Sequence, residues 1–110
     1  MPTDKDSSTK FSVWPSPERS WKDVRDLAVY ADKNGWYSLW YADHFMPNDE
    51  TGTTKDGDVF ECWSMIAAIA AVTERLRIGS LVSPTTFRHP TVLANTAATI
   101  DQISHGRLTL

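Results

Sequence analysis

The sequence predicts an α/β protein built around a parallel sheet, and three observations carry that prediction. Short apolar runs alternate with segments of helical period along almost the whole chain. The run WYSLWYA (36 to 42) lacks the apolar/polar alternation of a half-exposed strand, the pattern expected when both faces of a strand are covered. Polar residues able to do chemistry cluster directly after two of these runs, as Asp43-His44 and as Ser83-Pro84-Thr85-Thr86.

Each element has a local reason. FSVW (11 to 14) is a short strand closed by Pro15 and Pro17. The segment SPERSWKDVRDLAVYADKNG then places Val24, Leu27, Ala28 and Ala31 on one face of a helix, and Asn34-Gly35 stops it. WYSLWYA is the second strand. A polar stretch from Met46 to Asp58, with Gly52 and Gly57, reads as a long loop. Residues 61 to 75 return to helix, with apolar residues around much of the circumference. RLRIGSLVS is the third strand. Pro90 opens a third helix at the position where proline is favoured, and Val92, Leu93, Ala97, Ile100 and Ile103 form its inward stripe. Ser104-His105-Gly106 ends that helix, Gly106 serving as the C-cap, and RLTL begins a fourth strand. MPTDKDSSTK (1 to 10) is a polar tail, and residues 11 to 110 form the folded portion.

Strand–helix alternation of this kind builds a parallel sheet with right-handed crossovers. Both a doubly wound sheet and a (β/α)8 barrel satisfy it, and in both the ligand sits at the carboxyl edge of the strands. Asp43, His44 and Ser83 therefore share one mouth. Composition narrows the ligand. At 110 residues, 41% hydrophobic and 23% charged, the chain allows one globular domain at most. Eleven scattered Lys and Arg against fourteen Asp and Glu give a net charge of −3, which excludes a nucleic-acid surface. The longest apolar run, MIAAIAAV (65 to 72), is too short to span a membrane, and the opening residues contain no apolar core of a secretory signal. Cys62 is the single cysteine, and no CxxC or HxxxH spacing offers a metal site. A cytoplasmic protein that handles a small molecule is the expectation.

Plainer roles compete for the same residues. Asp43 could cap a turn and His44 could satisfy a loop carbonyl; their place at a strand's carboxyl end is what favours function. His89 reads as a helix-entry residue and His105 as a structural group at a helix C-terminus. Cys62 reads as a small buried side chain. The acids Asp49, Glu50, Asp56 and Asp58 lack the spacing of a calcium loop and read as a solvated lid. Trp14, at the end of strand one, faces the same mouth as Asp43 and His44 and is placed on the substrate side. No GxGxxG follows any strand, which argues against a dinucleotide bound in the Rossmann manner.

The runs GWYSLWYADHF, ECWSMIAAIAAVTERLRIGSLVSP and FRHPTVLANTAATIDQISHGRLTL, in this order and spacing, resemble the N-terminal part of the luciferase-like monooxygenases, the superfamily of flavin- and deazaflavin-dependent oxidoreductases. The resemblance covers Phe11 to Leu110 and selects the (β/α)8 barrel, of which about four parallel strands and three helices would be present. It implies coenzyme F420, or alternatively FMN, as cofactor. It assigns His44 to proton handling near the reacting carbon during hydride transfer and Asp43 to contact with the cofactor. It places Ser80, Leu81, Val82 and Ser83 behind the ring, with a cis peptide between two non-proline residues expected at Ser80–Leu81, and brings the hydroxyls of Ser83 and Thr85 beside the ring. Asn95 stands where many members carry lysine, so the subfamily stays open.

The expected function is hydride transfer between reduced F420 and a small organic substrate, with an FMN-dependent monooxygenase as one alternative. A barrel fragment without turnover is the other, because a complete barrel of this type needs about 250 residues. Self-association into a homo-oligomer is expected, since four strands leave edges and helix faces that invite a partner.

Overall fold

A computed structural model describes residues 8–110 of the chain. The expected tail falls for residues 1 to 7 outside the described residues, and residues 8 to 10 are exposed. The order of elements is β1 (Ser12–Val13), α1 (Trp21–Lys33), β2 (Ser38–Tyr41), α2 (Cys62–Val72), β3 (Arg77–Ser80), α3 (Pro90–Ile103) and β4 (Leu108–Thr109). The strands form one parallel sheet in the spatial order β1-β2-β3-β4, so every β-α-β step moves one strand along.

Register follows from which side chains are apolar. Leu39 and Tyr41 of β2 and Ile78 of β3 are fully buried and share one core with Val24, Ala28 and Ala31 of α1, Ile66, Ile69 and Ala70 of α2, and Ala97 and Ile100 of α3. Strand side chains alternate, so Ser38, Trp40 and Gly79 lie on the other face. The Trp40 ring lies across Gly79, where a Cβ would sit 2.7 Å from the ring and 2.4 Å from the Thr109 carbonyl oxygen. Only glycine lets β3 and β4 pair beneath that ring.

The helix ends explain themselves. Ser20 caps α1 by accepting from the Asp23 N–H, and Gly35 turns the chain with φ +76°. Glu61 caps α2 by accepting from the Trp63 and Ser64 N–H groups. His89 caps α3 through Nδ1, which accepts from the Thr91 N–H, ahead of Pro90. This is the helix-entry role expected for His89. At the far end of α3, Ser104 is the cap, and His105 and Gly106 both turn through positive φ.

Helix α2 is shorter than the 61 to 75 expected. Its chain leaves the helix at Thr73 because the buried Asp32 carboxylate accepts from the N–H groups of Glu74, Arg75 and Leu76 at 2.7 to 3.1 Å. Burial pushes the Asp32 carboxyl up, and the three N–H donors together more than offset this, holding it below the usual carboxylate range. A second buried polar group completes the joint. The Arg107 guanidinium donates to the carbonyls of Ala70, Thr73, Leu76 and Ser104 and to the Thr73 hydroxyl, so it supplies donors to the C-terminal end of α2, which has no basic residue in its own last turn.

Candidate active site

The carboxyl ends of β1, β2 and β3 open onto one edge of the sheet, as parallel order requires. Trp14 follows β1 directly and is exposed. His44, two residues beyond the Ala42 that ends β2's apolar run, is half-buried and lines a cavity of about 260 Å³ with Trp14, Pro15, Ser16, Glu18 and Asn48. The structure thus brings Trp14 and His44 to one wall.

Asp43 faces inward. Its carboxylate is fully buried and receives both guanidinium nitrogens of Arg88, with Nη2 donating to Oδ1 at 2.9 Å and Nη1 to Oδ2. The Ser83 hydroxyl donates to Oδ2 at 2.7 Å, and the Trp63 Nε1–H donates to the Ser83 oxygen at 3.2 Å. Arg88 also reaches Glu61, so one guanidinium joins two carboxylates. Contact with Asp43 and then Glu61 raises the already high Arg88 pKa, while burial opposes it. For Glu61, burial acts upward, and hydrogen bonds from Ser64, Arg88 and Trp63 outweigh it, leaving the carboxyl below its ordinary value.

The chain leaves regular strand geometry after Ser80, but one bond later than expected: the cis peptide joins Leu81 to Val82, and Ser80–Leu81 is trans. The reason lies in the ladder. Tyr41 still pairs with Ser80, and the Leu81 N–H donates to the Tyr41 carbonyl at 3.0 Å, so the backbone is held in register through Leu81. Ser80 turns its hydroxyl toward the helices, where it accepts from the Cys62 thiol at 3.5 Å. Beyond it Val82 is exposed, and with Trp63, Ser80, Ser83, Leu93 and Leu110 it lines a second cavity of about 340 Å³. Thr85 is exposed on the same turn.

Cys62 is buried as expected. Burial pushes its thiol up to about 12, opposed by the Ser80 contact, and so disfavours the thiolate form. His105 lies at the opposite end of α3 from His89, away from the mouth. The loop after β2 is tied down at several points rather than free. Phe45 stacks on Phe87 with ring centroids 4.2 Å apart, Lys55 pairs with Glu18, and Asp49 accepts from Thr51 and Thr53 within a small turn closed by Asn48 and Thr54. Among the described residues, no group of three His, Cys, Asp or Glu could hold a metal, and no helix is long and apolar enough to cross a membrane.

Three residues of this network were not read from the sequence: Arg88, Glu61 and Trp63. Arg88 had a signal. It is the one fixed cation in the loop after strand three, at the same edge as the acid Asp43 and immediately before His89. Glu61 and Trp63 were legible only as a helix start.

The sequence profile of the luciferase-like monooxygenases matches residues 7–110, nearly the whole chain. The chain belongs to the luciferase-like monooxygenase family. Within it, the F420-dependent glucose-6-phosphate dehydrogenase of Amycolatopsis mediterranei (strain U-32) is 36% identical over 90 residues, covering 81% of this chain and 26% of that protein. The 4-hydroxyprotoasukamycin monooxygenase of Streptomyces nodosus subsp. asukaensis is 32% identical over 90 residues, 82% of this chain and 22% of its own length. Among solved structures, an F420-dependent secondary alcohol dehydrogenase in complex with an F420-acetone adduct superposes with a TM-score of 0.78 at 25% identity, over 93% of this chain and 30% of that one. The chain therefore spans about a quarter of the length of the curated relatives it matches. Its four parallel strands and three helices match the barrel of luciferase-like structures, so the barrel expectation holds over the doubly wound sheet.

The donor set suits part of a flavin-type cofactor. Exposed Val82 and the irregular backbone beside it offer an apolar backing for a planar ring, and half-buried His44 offers an imidazole nitrogen at the same edge. The guanidinium of Arg88, at the same edge, is already engaged by two carboxylates.

Proposed function

We propose that this chain contributes the ring-facing wall of an F420-dependent oxidoreductase that transfers hydride between the reduced coenzyme and a small organic substrate. The observation that carries the reading is the joint placement of His44, Trp14 and the exposed Leu81–Val82 backbone at the carboxyl edge of a parallel sheet. The likeness to F420-dependent dehydrogenases supports the choice of cofactor. When bound, the coenzyme supplies the hydride chemistry itself. The chain's own residues then have three tasks. His44 holds or accepts a proton at an imidazole nitrogen, the side chain type suited to general acid–base work. Val82 and Leu81 cover the ring and keep water from it. Trp14 shapes the substrate side. Likeness to a monooxygenase favours one other reading, an FMN-dependent oxygenation at the same wall. In both, the working protein is a homo-oligomer in a reducing, cytoplasmic setting, where the buried free thiol of Cys62 persists.

Titration of the protein with coenzyme F420 and with FMN, followed by absorbance and fluorescence, decides between them. Bleaching of oxidised F420, which takes up hydride from an added secondary alcohol or glucose 6-phosphate to give the reduced coenzyme, is the expected result. Saturable FMN binding with substrate-dependent oxygen uptake would select the monooxygenase, and binding of neither would overturn both.

A further inference from the structure

We propose that Arg88 is the positioning residue of this wall and that Asp43 serves the site from inside it, without touching the cofactor. The inference rests on the reading above for where the site lies, but its geometry is internal to the chain. Asp43 is 0% exposed, and residues of this chain alone account for that burial. A ligand outside the wall can reach none of its atoms. Three donors from two residues of the turn between β3 and α3 already occupy its oxygens: two guanidinium nitrogens of Arg88 in a fork, and the Ser83 hydroxyl. A bidentate fork fixes direction as well as distance, which a point charge does not.

Arg88 gathers three separate stretches of chain. It lies in the turn between β3 and α3, it grips Asp43 at the end of β2, and it reaches Glu61, which caps α2 through the Trp63 and Ser64 N–H groups. The Trp63 indole closes the circuit onto Ser83. His44 is the next residue after Asp43, so its Cα lies one peptide, about 3.8 Å, from a Cα that the fork immobilises. The result is a division of labour inside the Asp43-His44 pair. Asp43 anchors, and His44, half-buried and lining the Trp14 cavity, meets the ligand.

The test uses the whole chain as Arg88→Gln, Arg88→Lys, Asp43→Asn and the Asp43→Asn/Arg88→Gln double variant, with three readouts. In urea unfolding of the protein without cofactor, each single substitution should lower the midpoint, and the double should lower it no further than the larger single. Carbethoxylation of His44 by diethyl pyrocarbonate, followed by mass spectrometry with His105 as internal reference, should change at least threefold and by the same factor in Arg88→Gln and Asp43→Asn. A merely structural strut would leave that ratio alone in variants that stay folded. Lysine should recover part of the midpoint but not the His44 rate. Where F420 or FMN binds, both single variants should weaken it by a similar factor. Additive midpoints, an unchanged His44 ratio, or full recovery by lysine would each overturn the proposal. So would a tenfold loss of cofactor affinity in Asp43→Asn with Arg88→Gln unaffected, because Asp43 would then touch the cofactor. Failure of the wild-type protein to bind either cofactor overturns the functional reading alone, and the midpoint and His44 measurements still decide this one.

Discussion

His44 and Asp43 are adjacent in sequence and opposite in circumstance. One is half-buried at a cavity and the other is sealed behind it. If His44 exchanges the proton in hydride transfer, His44→Ala should reduce turnover by roughly two to four orders of magnitude, the usual loss for a positioned acid or base, with little change in cofactor affinity. Steady-state kinetics beside a binding titration checks this, and unaltered turnover would return His44 to a turn-stabilising role. Cys62 makes a contrasting case. With its thiol pushed up to about 12 by burial, the thiolate fraction at pH 8 is on the order of one in ten thousand. Native protein should therefore resist a thiol reagent at pH 8 and react within the dead time once unfolded in urea. Tyr41 stands apart: its hydroxyl is buried with no hydrogen-bond partner among the described residues, and burial raises its pKa to about 12. Removing an unsatisfied hydroxyl relieves a cost of about 1 to 3 kcal/mol, so Tyr41→Phe should leave stability unchanged or raise it in urea titration.

Among the elements, the joint between α2 and β3 depends on Asp32 reaching from the end of α1. Its carboxylate satisfies three N–H groups that no strand or helix would otherwise pair. Asp32→Ala strands those donors and should cost about 2 to 4 kcal/mol, more than the loss of one ordinary hydrogen bond. The pH dependence follows with a definite sign. Asp32 and Glu61 both have carboxyls held below their ordinary values, so their contribution is complete above the unfolded-state range, about pH 4 to 4.5, and is lost as pH falls through the lower folded values. Unfolding free energy should be flat from about pH 5 to 7 and fall below about pH 4, with a shallower fall in Asp32→Ala. Gly79 governs the neighbouring joint. A methyl group there meets the Thr109 carbonyl, which is backbone and cannot swing aside, so Gly79→Ala should separate β4 from β3 and lose protection of the amides on either side of that ladder in hydrogen exchange.

At the scale of the molecule, among the described residues, three helices cover one side of a four-stranded sheet whose outer strands, β1 and β4, each pair on one side only. Phe11, Trp14, Val82 and Leu110 are more than half exposed around that open side and its ends. Such surface favours association. The isolated 110-residue polypeptide is accordingly expected to be oligomeric or prone to aggregate. Light scattering checks this, and a monodisperse monomer would contradict it.

Periodicity and punctuation were enough to place every strand and helix, because these are local properties: apolar spacing in α1 and α3, Pro90 at a helix start, Gly35 and Gly106 at helix ends. They placed Asp43, His44 and Ser83 at one edge because parallel order puts all strand ends there. Choosing a barrel over a doubly wound sheet needed more than periodicity, and it came from the ordered runs that resemble the luciferase-like family. Only the tertiary structure decided which way each side chain at that edge faces. Asp43 turned inward because Arg88, forty-five residues away, meets it with a fork. Helix α2 stopped early because Asp32, more than forty residues upstream, captured its following N–H groups. The backbone held its register one residue past Ser80 because Tyr41 still accepted from the Leu81 N–H. Each of these outcomes is a contact between residues distant in sequence, and a pattern read along one chain carries no distance between them.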